Sequence, residues 1–539
     1  MIEENLHKYS FLLGESPFAP ALSERILHRF KENGWPGLVQ RVCKLVESVE
    51  NSRNDVNSNP FLSHLAHAMQ HGLMLPNSPL LVNCSDAEPR VFACFAVDVS
   101  KPISTVLKEF RFIHDGMGGV GYSLSGKETN FIDIIKLIDQ DTCAHQSGRP
   151  RPASNAVTLP ISGDLDKFLN LAGTLAVTNM NVALTDEFML SLRNGKISQQ
   201  KFDNIVRKIY TTGQPGIIFP DRIRQISHTE NTPFAANVCG EAPLAVDESA
   251  LLASVNLTSF VSSRNGQMRS FDEDEFQKCV GLCVRMLDGM HDIQTHASDE
   301  IRRNTLATRK IGVGIMGFAH ALILLGLPYG SQESIQFARN ISRILYQSAK
   351  AESERLANIL GTYPAWKPEH GSARRNANLT AIAGTATIAL IAGTSCGIEP
   401  LYSHMINQRV IDQDISCLDP IISLLLSENG INPVDAASRL ARGETLRQIA
   451  GDAIADLCPT ALDLSGEVQI NVQAALQSSI DCGITKTVNC SNTTSVNEIK
   501  KWILHAHENG CVGLTIYRNQ SLKNQPIKIE STNVITDNI

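Results

Sequence analysis

Length and composition set the first limits on this chain. It has 539 residues, 43% hydrophobic and 19% charged, a balance typical of globular proteins in water. A net charge of −7 and a pI near 6.1 argue against nucleic acid as a partner. The first residues lack a secretory signal, and the apolar windows are far shorter than the ~20 residues of a membrane span, so we expect no membrane contact. Thirteen cysteines without a CxxC pair predict reduced thiols in the cytoplasm and no metal site.

Helical patterns come first along the chain. Apolar stripes predict helices over about Ala21 to Leu73, separated by Gly34-Trp35-Pro36. Strand-like runs then alternate with helical ones, which is typical of βαβ units with parallel strands and predicts an α/β fold. The predicted strands are Val91–Val99, Gly121–Leu124, Ala156–Pro160, Asn179–Ala183 and Gly216–Phe219. The predicted helices between them are Ile103–His114, Asp164–Leu171 and Gln200–Thr212.

The second half of the chain begins as a long helical block, predicted from about Glu275 to Leu360. The tail then alternates between helix and strand. Its predicted elements are Val468–Ile480, Lys486–Asn489, Val496–Glu508 and Val512–Tyr517.

A first candidate site is Asn237-Val238-Cys239-Gly240-Glu241, which has loop character. If this backbone is extended, its period of two places the amide of Asn237, the thiol of Cys239 and the carboxylate of Glu241 on one face. Three such groups could converge on one substrate. The alternative is a buried structural cysteine between two polar loop residues.

Two further segments could hold a phosphate. The glycines from Gly116 to Gly121 suggest a dinucleotide fingerprint, but a helical run precedes them and a strand follows, which is the wrong order. Gly384-Thr385-Ala386-Thr387 precedes an apolar helical run, and backbone N–H groups with threonine hydroxyls at such a point can bind an anion. The alternative is simple capping of the helix by Thr385.

Together these segments resemble the ribonucleotide reductase family, in particular its adenosylcobalamin-dependent class. The family carries Asn-Pro-Cys-Gly-Glu where this chain has Asn-Val-Cys-Gly-Glu, and Pro-Thr-Gly-Thr where it has Gly-Thr-Ala-Thr. The resemblance runs from about Pro76 to Arg518. Its other motifs, in family order, are Pro76–Pro79, Ala93–Phe95, Gly118–Ser123, Thr185–Met189, Phe219–Ile223, Arg309–Phe318 and Gly393–Pro400.

The resemblance implies a ten-stranded α/β barrel with the radical cysteine on a central loop. We therefore expect a helical N-terminal region over residues 1–75, a catalytic barrel over 76–490 and a helix–strand extension over 491–539. Oxygen-dependent members have two adjacent tyrosines near the C-terminus, whereas Leu514–Arg518 has one, and no glycyl-radical motif follows Gly513. The implied cofactor is adenosylcobalamin, whose contacts this sequence does not identify.

The resemblance also implies roles for individual residues. A thiyl radical at Cys239 would remove the 3′ hydrogen of a ribonucleotide, and Glu241 would take the 3′-hydroxyl proton. Asn237 would orient the substrate, and Cys94 would donate a proton as the 2′-hydroxyl leaves as water. The expected substrate-binding residues are Ser78, Gly119, Thr385, Ala386 and Thr387.

This sequence departs from the family at the second redox cysteine. The family reads Glu-Ser-Cys-Asn-Leu-Gly-Ser where this chain has Glu248-Ser-Ala-Leu-Leu-Ala-Ser, so Ala250 stands where Cys94 should find its partner. We therefore expect an external electron donor, with Cys84 as a weaker alternative thiol. A shortened segment between Ser125 and Phe131, and unusual prolines in 147–152, place allosteric control in doubt.

Three hypotheses follow. The first is radical reduction of ribonucleotides to 2′-deoxyribonucleotides by a monomer or homodimer. The second is a related thiyl-radical enzyme that changes the ribose by dehydration or epimerisation. The third is a non-catalytic nucleotide-binding relative. The first two retain the roles of Cys239 and Glu241 and differ in their products.

Overall fold

The computed structural model describes residues 34–53, 58–84, 87–124, 126, 130–145, 153–229, 235–262, 269–410 and 413–521. The helical stripe predicted before Gly34 lies outside these residues. So do most of the shortened segment after Ser125 and the proline-containing loop 147–152.

Helices and strands largely alternate over residues 74–218, whereas strands come in succession over 235–271 and helices over 332–392 and 420–477. The helices are α1 Trp35–Arg53, α2 Ser58–Gln70, α3 Ser78–Asn83, α4 Ile103–Asp115, α5 Phe131–His145, α6 Leu165–Leu169, α7 Asp186–Ser191, α8 Lys196–Thr212, α9 Pro220–Ile226, α10 Glu273–Met290, α11 Asp299–Thr308, α12 Phe318–Leu325, α13 Gln332–Leu360, α14 Ala386–Ala392, α15 Pro420–Glu428, α16 Pro433–Ala441, α17 Leu446–Ala450, α18 Asp452–Leu457, α19 Gly466–Gln477 and α20 Val496–Glu508. The strands are β1 Met74–Pro76, β2 Cys94–Ala96, β3 Gly119–Ser123, β4 Asn155–Pro160, β5 Thr178–Ala183, β6 Gly216–Ile218, β7 Ala235–Ala236, β8 Pro243–Leu244, β9 Glu248–Asn256, β10 Val261–Ser262, β11 Ser270–Phe271, β12 Ile311–Met316, β13 Met405–Val410, β14 Gln413–Leu418, β15 Thr487–Cys490 and β16 Gly513–Arg518.

A ten-stranded sheet organises the molecule. Strands β2 to β6 pair in chain order and are parallel. A second parallel set contains β9, β12, β15 and β16, and the bridges Val313↔Thr380 and Ile382↔Ile484 join its two parts. The two sets meet through antiparallel pairs, β2 with β9 and β6 with β16, so the sheet closes into a barrel. The predicted ten-stranded α/β barrel is confirmed.

The predicted elements of the first half lie close to the observed ones, with two differences elsewhere. The long block predicted as helical contains β12, an apolar strand buried along its whole length. Apolar runs of this length do not distinguish a buried parallel strand from a buried helix, which explains the difference. The last strand, expected within a C-terminal extension, pairs with β15 and β6 as part of the barrel.

The N-terminal helices are joined to the barrel by a buried ion cluster. Asp288 in α10 is fully buried and binds Arg53 of α1 (2.8 Å), Arg309 (2.9 Å) and Arg375 (3.4 Å). Burial alone would raise the pKa of this carboxyl, but the charges of the three arginines outweigh it and hold the pKa well below its usual range.

We expect Asp288→Asn to lower the free energy of unfolding by about 3–5 kcal/mol, because it removes the fully buried countercharge that the three arginines share. Asp292→Asn is the matched control, since the Asp292 side chain binds two of the same arginines but is 35% exposed. Urea unfolding of both variants at pH 7 measures the difference, and equal midpoints would contradict this role. A carboxyl with a lowered pKa stabilises the fold above its unfolded pKa of about 4, so the Asp288→Asn effect should shrink as the pH falls below that value.

Candidate active site

A short hairpin carries the predicted radical cysteine inside the barrel. Strands β7 and β8 pair with each other, and the chain turns between them. The side-chain oxygen of Asn237 accepts hydrogen bonds from the backbone N–H groups of Gly240 and Ala242, both at 3.0 Å. Gly240 has φ of 84°, a conformation that glycine adopts at little cost. The extended backbone considered from the sequence is therefore wrong: this segment is a turn held by the Asn237 carboxamide.

The turn still brings the predicted polar groups together. Asn237 Nδ2 donates to the sulfur of Cys94 at 3.1 Å, and the Cys94 thiol lies 3.9 Å from Glu241 Oε1. Cys94, Asn237 and Glu241 are each 2–3% exposed, whereas Cys239 is exposed at the tip of the turn. Cys94, Asn237 and Glu241 therefore form a buried polar cluster, and Asn237 and Glu241 belong to the same turn as the exposed Cys239.

Two glycines of β3 make room for this turn. A Cβ on Gly119 would lie 2.7 Å from Val238 Cγ2, and a Cβ on Gly121 would lie 2.0 Å from the carbonyl oxygen of Ala236. Gly119 is also the direct neighbour of Cys94 across the β2–β3 pair. The absence of side chains at these two glycines therefore leaves room for the hairpin inside the barrel. The glycines lie in a strand that follows a helix, which agrees with the prediction that they do not form a dinucleotide-binding turn.

Thr485 was not predicted as a site residue from the sequence, and its hydroxyl binds the Glu241 carboxylate. Its Oγ1 lies 2.8 Å from Glu241 Oε2 and 3.2 Å from the carbonyl oxygen of Cys239. The N–H of Gly483 donates to the backbone oxygen of Glu241 at 2.8 Å. The nearest sequence prediction, the strand Lys486–Asn489, says nothing about what the Thr485 hydroxyl contacts.

Ala250 lies directly opposite Cys94 in the antiparallel β2–β9 pair. Both residues belong to a small buried cluster that is rich in alanine and includes Ala96, Ala242 and Ala381. Cys84 packs in the separate main core, and its sulfur donates to Leu81 O at 3.6 Å. The position opposite Cys94 therefore holds a methyl group, and Cys84 belongs to another part of the core.

The threonine loop before α14 lies beside this cluster. Thr385 occupies the N-cap position with φ of 52°, but its side chain makes no cap hydrogen bond and accepts the N–H of Gly397 instead, at 2.8 Å. Simple side-chain capping by Thr385 is therefore wrong. Ala386 is exposed and Thr387 is half-buried, so both are open to a ligand. A Cβ on Gly384 would lie 3.2 Å from Cγ2 of Thr485, whose hydroxyl contacts Glu241.

Ser78 begins α3 and is buried, and β1, which leads into it, packs against α14.

The segment 485–487 is held in place by a buried lysine. Lys486 Nζ donates to Glu399 Oε2 (2.6 Å) and Gln469 Oε1 (2.8 Å), and the N–H of Thr487 donates to Glu399 Oε1. Burial lowers the pKa of Lys486, while the charge of Glu399 opposes that shift.

Comparisons with known proteins agree with this geometry. The family description "Ribonucleotide reductase, barrel domain" matches residues 196–374 and 369–517, more than half of the chain. The chain belongs to the ribonucleotide reductase family. A vitamin B12-dependent ribonucleoside-diphosphate reductase of Mycobacterium tuberculosis is 27% identical over 555 residues, covering 94% of this chain and 79% of that protein. A protein of the same name from Thermoplasma acidophilum is 27% identical over 506 residues, covering 86% and 65%.

A solved reductase structure supports the fold. The class Id ribonucleotide reductase alpha subunit of Actinobacillus ureae matches with a TM-score of 0.77 at 20% identity, covering 92% of this chain and 96% of that one. The predicted resemblance to the ribonucleotide reductase family, including its cobalamin-dependent members, is confirmed. Among the described residues, every helix is too short or too polar to cross a membrane.

The last barrel strand of this reductase carries a single tyrosine, Tyr517. Its hydroxyl is buried and has no hydrogen-bond partner among the described residues. Burial raises the pKa of Tyr402, and the nearby Tyr517 adds to that shift. The pair of adjacent tyrosines that marks oxygen-dependent reductases is not formed at this strand, where Ile516 and Arg518 flank Tyr517.

Proposed function

We propose that this protein reduces ribonucleotides to 2′-deoxyribonucleotides, with a thiyl radical at Cys239 generated with adenosylcobalamin. The observation that carries the proposal is the joint contact of Cys94 with Asn237 and Glu241, which belong to the same turn as the exposed Cys239. We place the reaction in the cytoplasm, because a reductase that works through reduced thiols needs a reducing compartment.

Each residue of the cluster has a role that suits its position. A thiyl at Cys239 removes the 3′ hydrogen, and Glu241 accepts the 3′-hydroxyl proton. Asn237 is fixed by its bonds to the turn, so its amide can orient the substrate hydroxyls and the Cys94 thiol together. Cys94 donates a proton to the departing 2′-hydroxyl, which leaves as water.

The threonine loop suits the phosphates of the same substrate. Ala386 and Thr387 are accessible, and the loop adjoins Thr485, which contacts Glu241. We therefore propose that Thr385, Ala386 and Thr387 form the phosphate site, with Ser78 and Gly119 on the opposite side of the bound nucleotide.

The exposed side of Cys239 fits a radical-generating cofactor. Cys239 is exposed while Cys94, Asn237 and Glu241 are buried, and Asn179 Nδ2 donates to the backbone oxygen of the adjacent Val238 at 3.1 Å. Adenosylcobalamin, when bound, would supply a carbon radical by homolysis of its cobalt–carbon bond. Asn179 and Val238 are the residues we expect beside it.

The electrons must come partly from outside the chain. The overall reaction converts one ribonucleotide and two thiols into one deoxyribonucleotide, one water and one disulfide. Cys94 can supply one thiol, but Ala250 opposite it cannot supply the second. We therefore propose an external electron donor, which acts on the site in place of the second cysteine.

Ala250 also favours a second candidate function. Dehydration or epimerisation of a ribose consumes no net electrons, so a thiyl enzyme that catalyses either reaction needs no cysteine pair. One experiment separates the two. The protein is incubated with adenosylcobalamin, a small thiol and each ribonucleoside diphosphate and triphosphate, and the products are identified by mass spectrometry. A 2′-deoxyribonucleotide supports reduction, a redox-neutral product supports the second candidate, and an unchanged nucleotide in every reaction contradicts both.

We expect Glu241→Gln to slow turnover by about 10²-fold or more, because the amide keeps the shape of the carboxyl but is not a base. Exchange of the substrate 3′ hydrogen with solvent is the direct readout. Glu187→Gln is the matched control, since Glu187 is exposed on α7. Exchange at the wild-type rate in Glu241→Gln would show that another group takes the proton.

A further inference from the structure

The hydroxyl of Thr485 contacts the proposed base and the radical turn at the same time. Oγ1 lies 2.8 Å from the Glu241 carboxylate and 3.2 Å from the backbone oxygen of Cys239. We propose that Thr485 is a positioning residue, which fixes the Glu241 carboxylate relative to the turn that carries Cys239. This inference rests on the proposed function and adds to it a residue with no assigned role.

The two contacts differ in strength. A threonine hydroxyl has one hydrogen, so it serves one acceptor fully at any moment. The shorter contact is to the charged oxygen, where a hydrogen bond is stronger than to a neutral carbonyl. The hydroxyl therefore orients the carboxylate first and tethers the Cys239 carbonyl second. Loss of the hydroxyl would remove its hydrogen bond to the Glu241 carboxylate and its contact with the Cys239 carbonyl in the turn.

The backbone of Thr485 is fixed, so its hydroxyl can act as a rigid reference. Its N–H donates to Ile382 O at 2.8 Å, and the next residue, Lys486, is locked by Glu399 and Gln469. The N–H of Gly483 binds the backbone oxygen of Glu241, and the Thr485 hydroxyl binds the Glu241 carboxylate. The Thr485 methyl group packs towards Gly384 of the proposed phosphate loop. One side chain thus touches the base, the radical turn and the edge of the phosphate site.

Two substitutions separate the hydroxyl from the methyl group. Thr485→Val keeps the shape and removes the hydroxyl, whereas Thr485→Ser keeps the hydroxyl and removes the methyl. A hydrogen bond to a charged group implies that Thr485→Val lowers kcat by about ten- to a hundredfold. We expect KM for the nucleotide to stay within about threefold, because the phosphate loop is intact, and Thr485→Ser to recover most of kcat. Thr493→Val, in an exposed part of the same chain segment, is the control.

A second readout needs neither cofactor nor nucleotide. The alkylation rate of Cys239 by iodoacetamide is measured by mass spectrometry, with the exposed Cys143 as internal reference. Loss of the contact with the Cys239 carbonyl should make Cys239 react faster in Thr485→Val, whereas in Thr485→Ser it should react at the wild-type rate. If the wild-type protein converts no nucleotide, the proposed function fails while this measurement still tests the tether. The inference is overturned by an unchanged Cys239 rate in Thr485→Val, by equal loss of kcat in both Thr485 variants, or by a change confined to KM.

Discussion

Replacing Cys239 with serine should abolish product formation and leave the fold and nucleotide binding intact. Serine is close to cysteine in size, but its O–H bond is too strong to form a radical by the same route. Cys239 lies exposed at the tip of the turn, so the change removes no core packing. Asn237 and Thr485 hold the turn through hydrogen bonds to the backbone N–H of Gly240 and the backbone oxygen of Cys239. Replacing the Cys239 side chain leaves both bonds in place.

The measurement is product formation by Cys239→Ser with adenosylcobalamin, beside nucleotide affinity from equilibrium binding. Cys143→Ser is the matched control, because Cys143 is also an exposed cysteine but lies in α5. We expect the control to keep wild-type activity. Product formation by Cys239→Ser at about a tenth of the wild-type rate would rule out Cys239 as the radical carrier.

Local sequence patterns predicted the five parallel strands β2 to β6 well. Each has an apolar or β-branched run bounded by turn residues, and these runs alternate with amphipathic helices. β12 was missed because its six residues are buried on both sides and lack the alternation of a half-exposed strand. Closure of the sheet through the bridges at Thr380 and Ile484 also leaves no local signal, since it depends on pairing between distant segments.

The active-site features likewise divide into those that residue types indicate and those that depend on contacts between distant segments. The residue types at Asn237, Cys239 and Glu241 indicated chemistry from the sequence, but the assumed extended backbone was wrong because the Asn237 carboxamide folds the segment into a turn. Thr485 lies 246 positions from Cys239, and no spacing rule connects them. The role of Gly121 likewise depends on a hairpin more than a hundred residues later that passes within 2.0 Å of its missing Cβ. Long-range contacts of this kind form only in the closed barrel, so local sequence patterns do not predict them.

Introducing a cysteine at position 250 should give this protein thioredoxin-dependent turnover. Ala250 and Cys94 are direct partners in an antiparallel pair, where Cα atoms lie about 4.5 or 5.5 Å apart. Both separations fall within the range of about 4.4–6.8 Å that a disulfide requires. Ala250→Cys therefore supplies the second thiol where Cys94 can reach it, and a thioredoxin system can reduce the resulting bond.

We expect the wild-type protein and Ala250→Cys to differ in the number of turnovers per active site. With thioredoxin as the sole donor, the wild-type protein should stop after at most a single turnover per site, whereas Ala250→Cys should continue and show a Cys94 disulfide by mass mapping. Ala253→Cys is the matched control, because Ala253 is buried on the same strand but pairs with Pro76. Sustained wild-type turnover with a mapped disulfide between Cys94 and Cys84 would show that the pair has moved. Because Ala253→Cys adds a buried thiol to the same strand away from Cys94, gain of turnover in Ala250→Cys alone would show that the missing thiol is the one opposite Cys94.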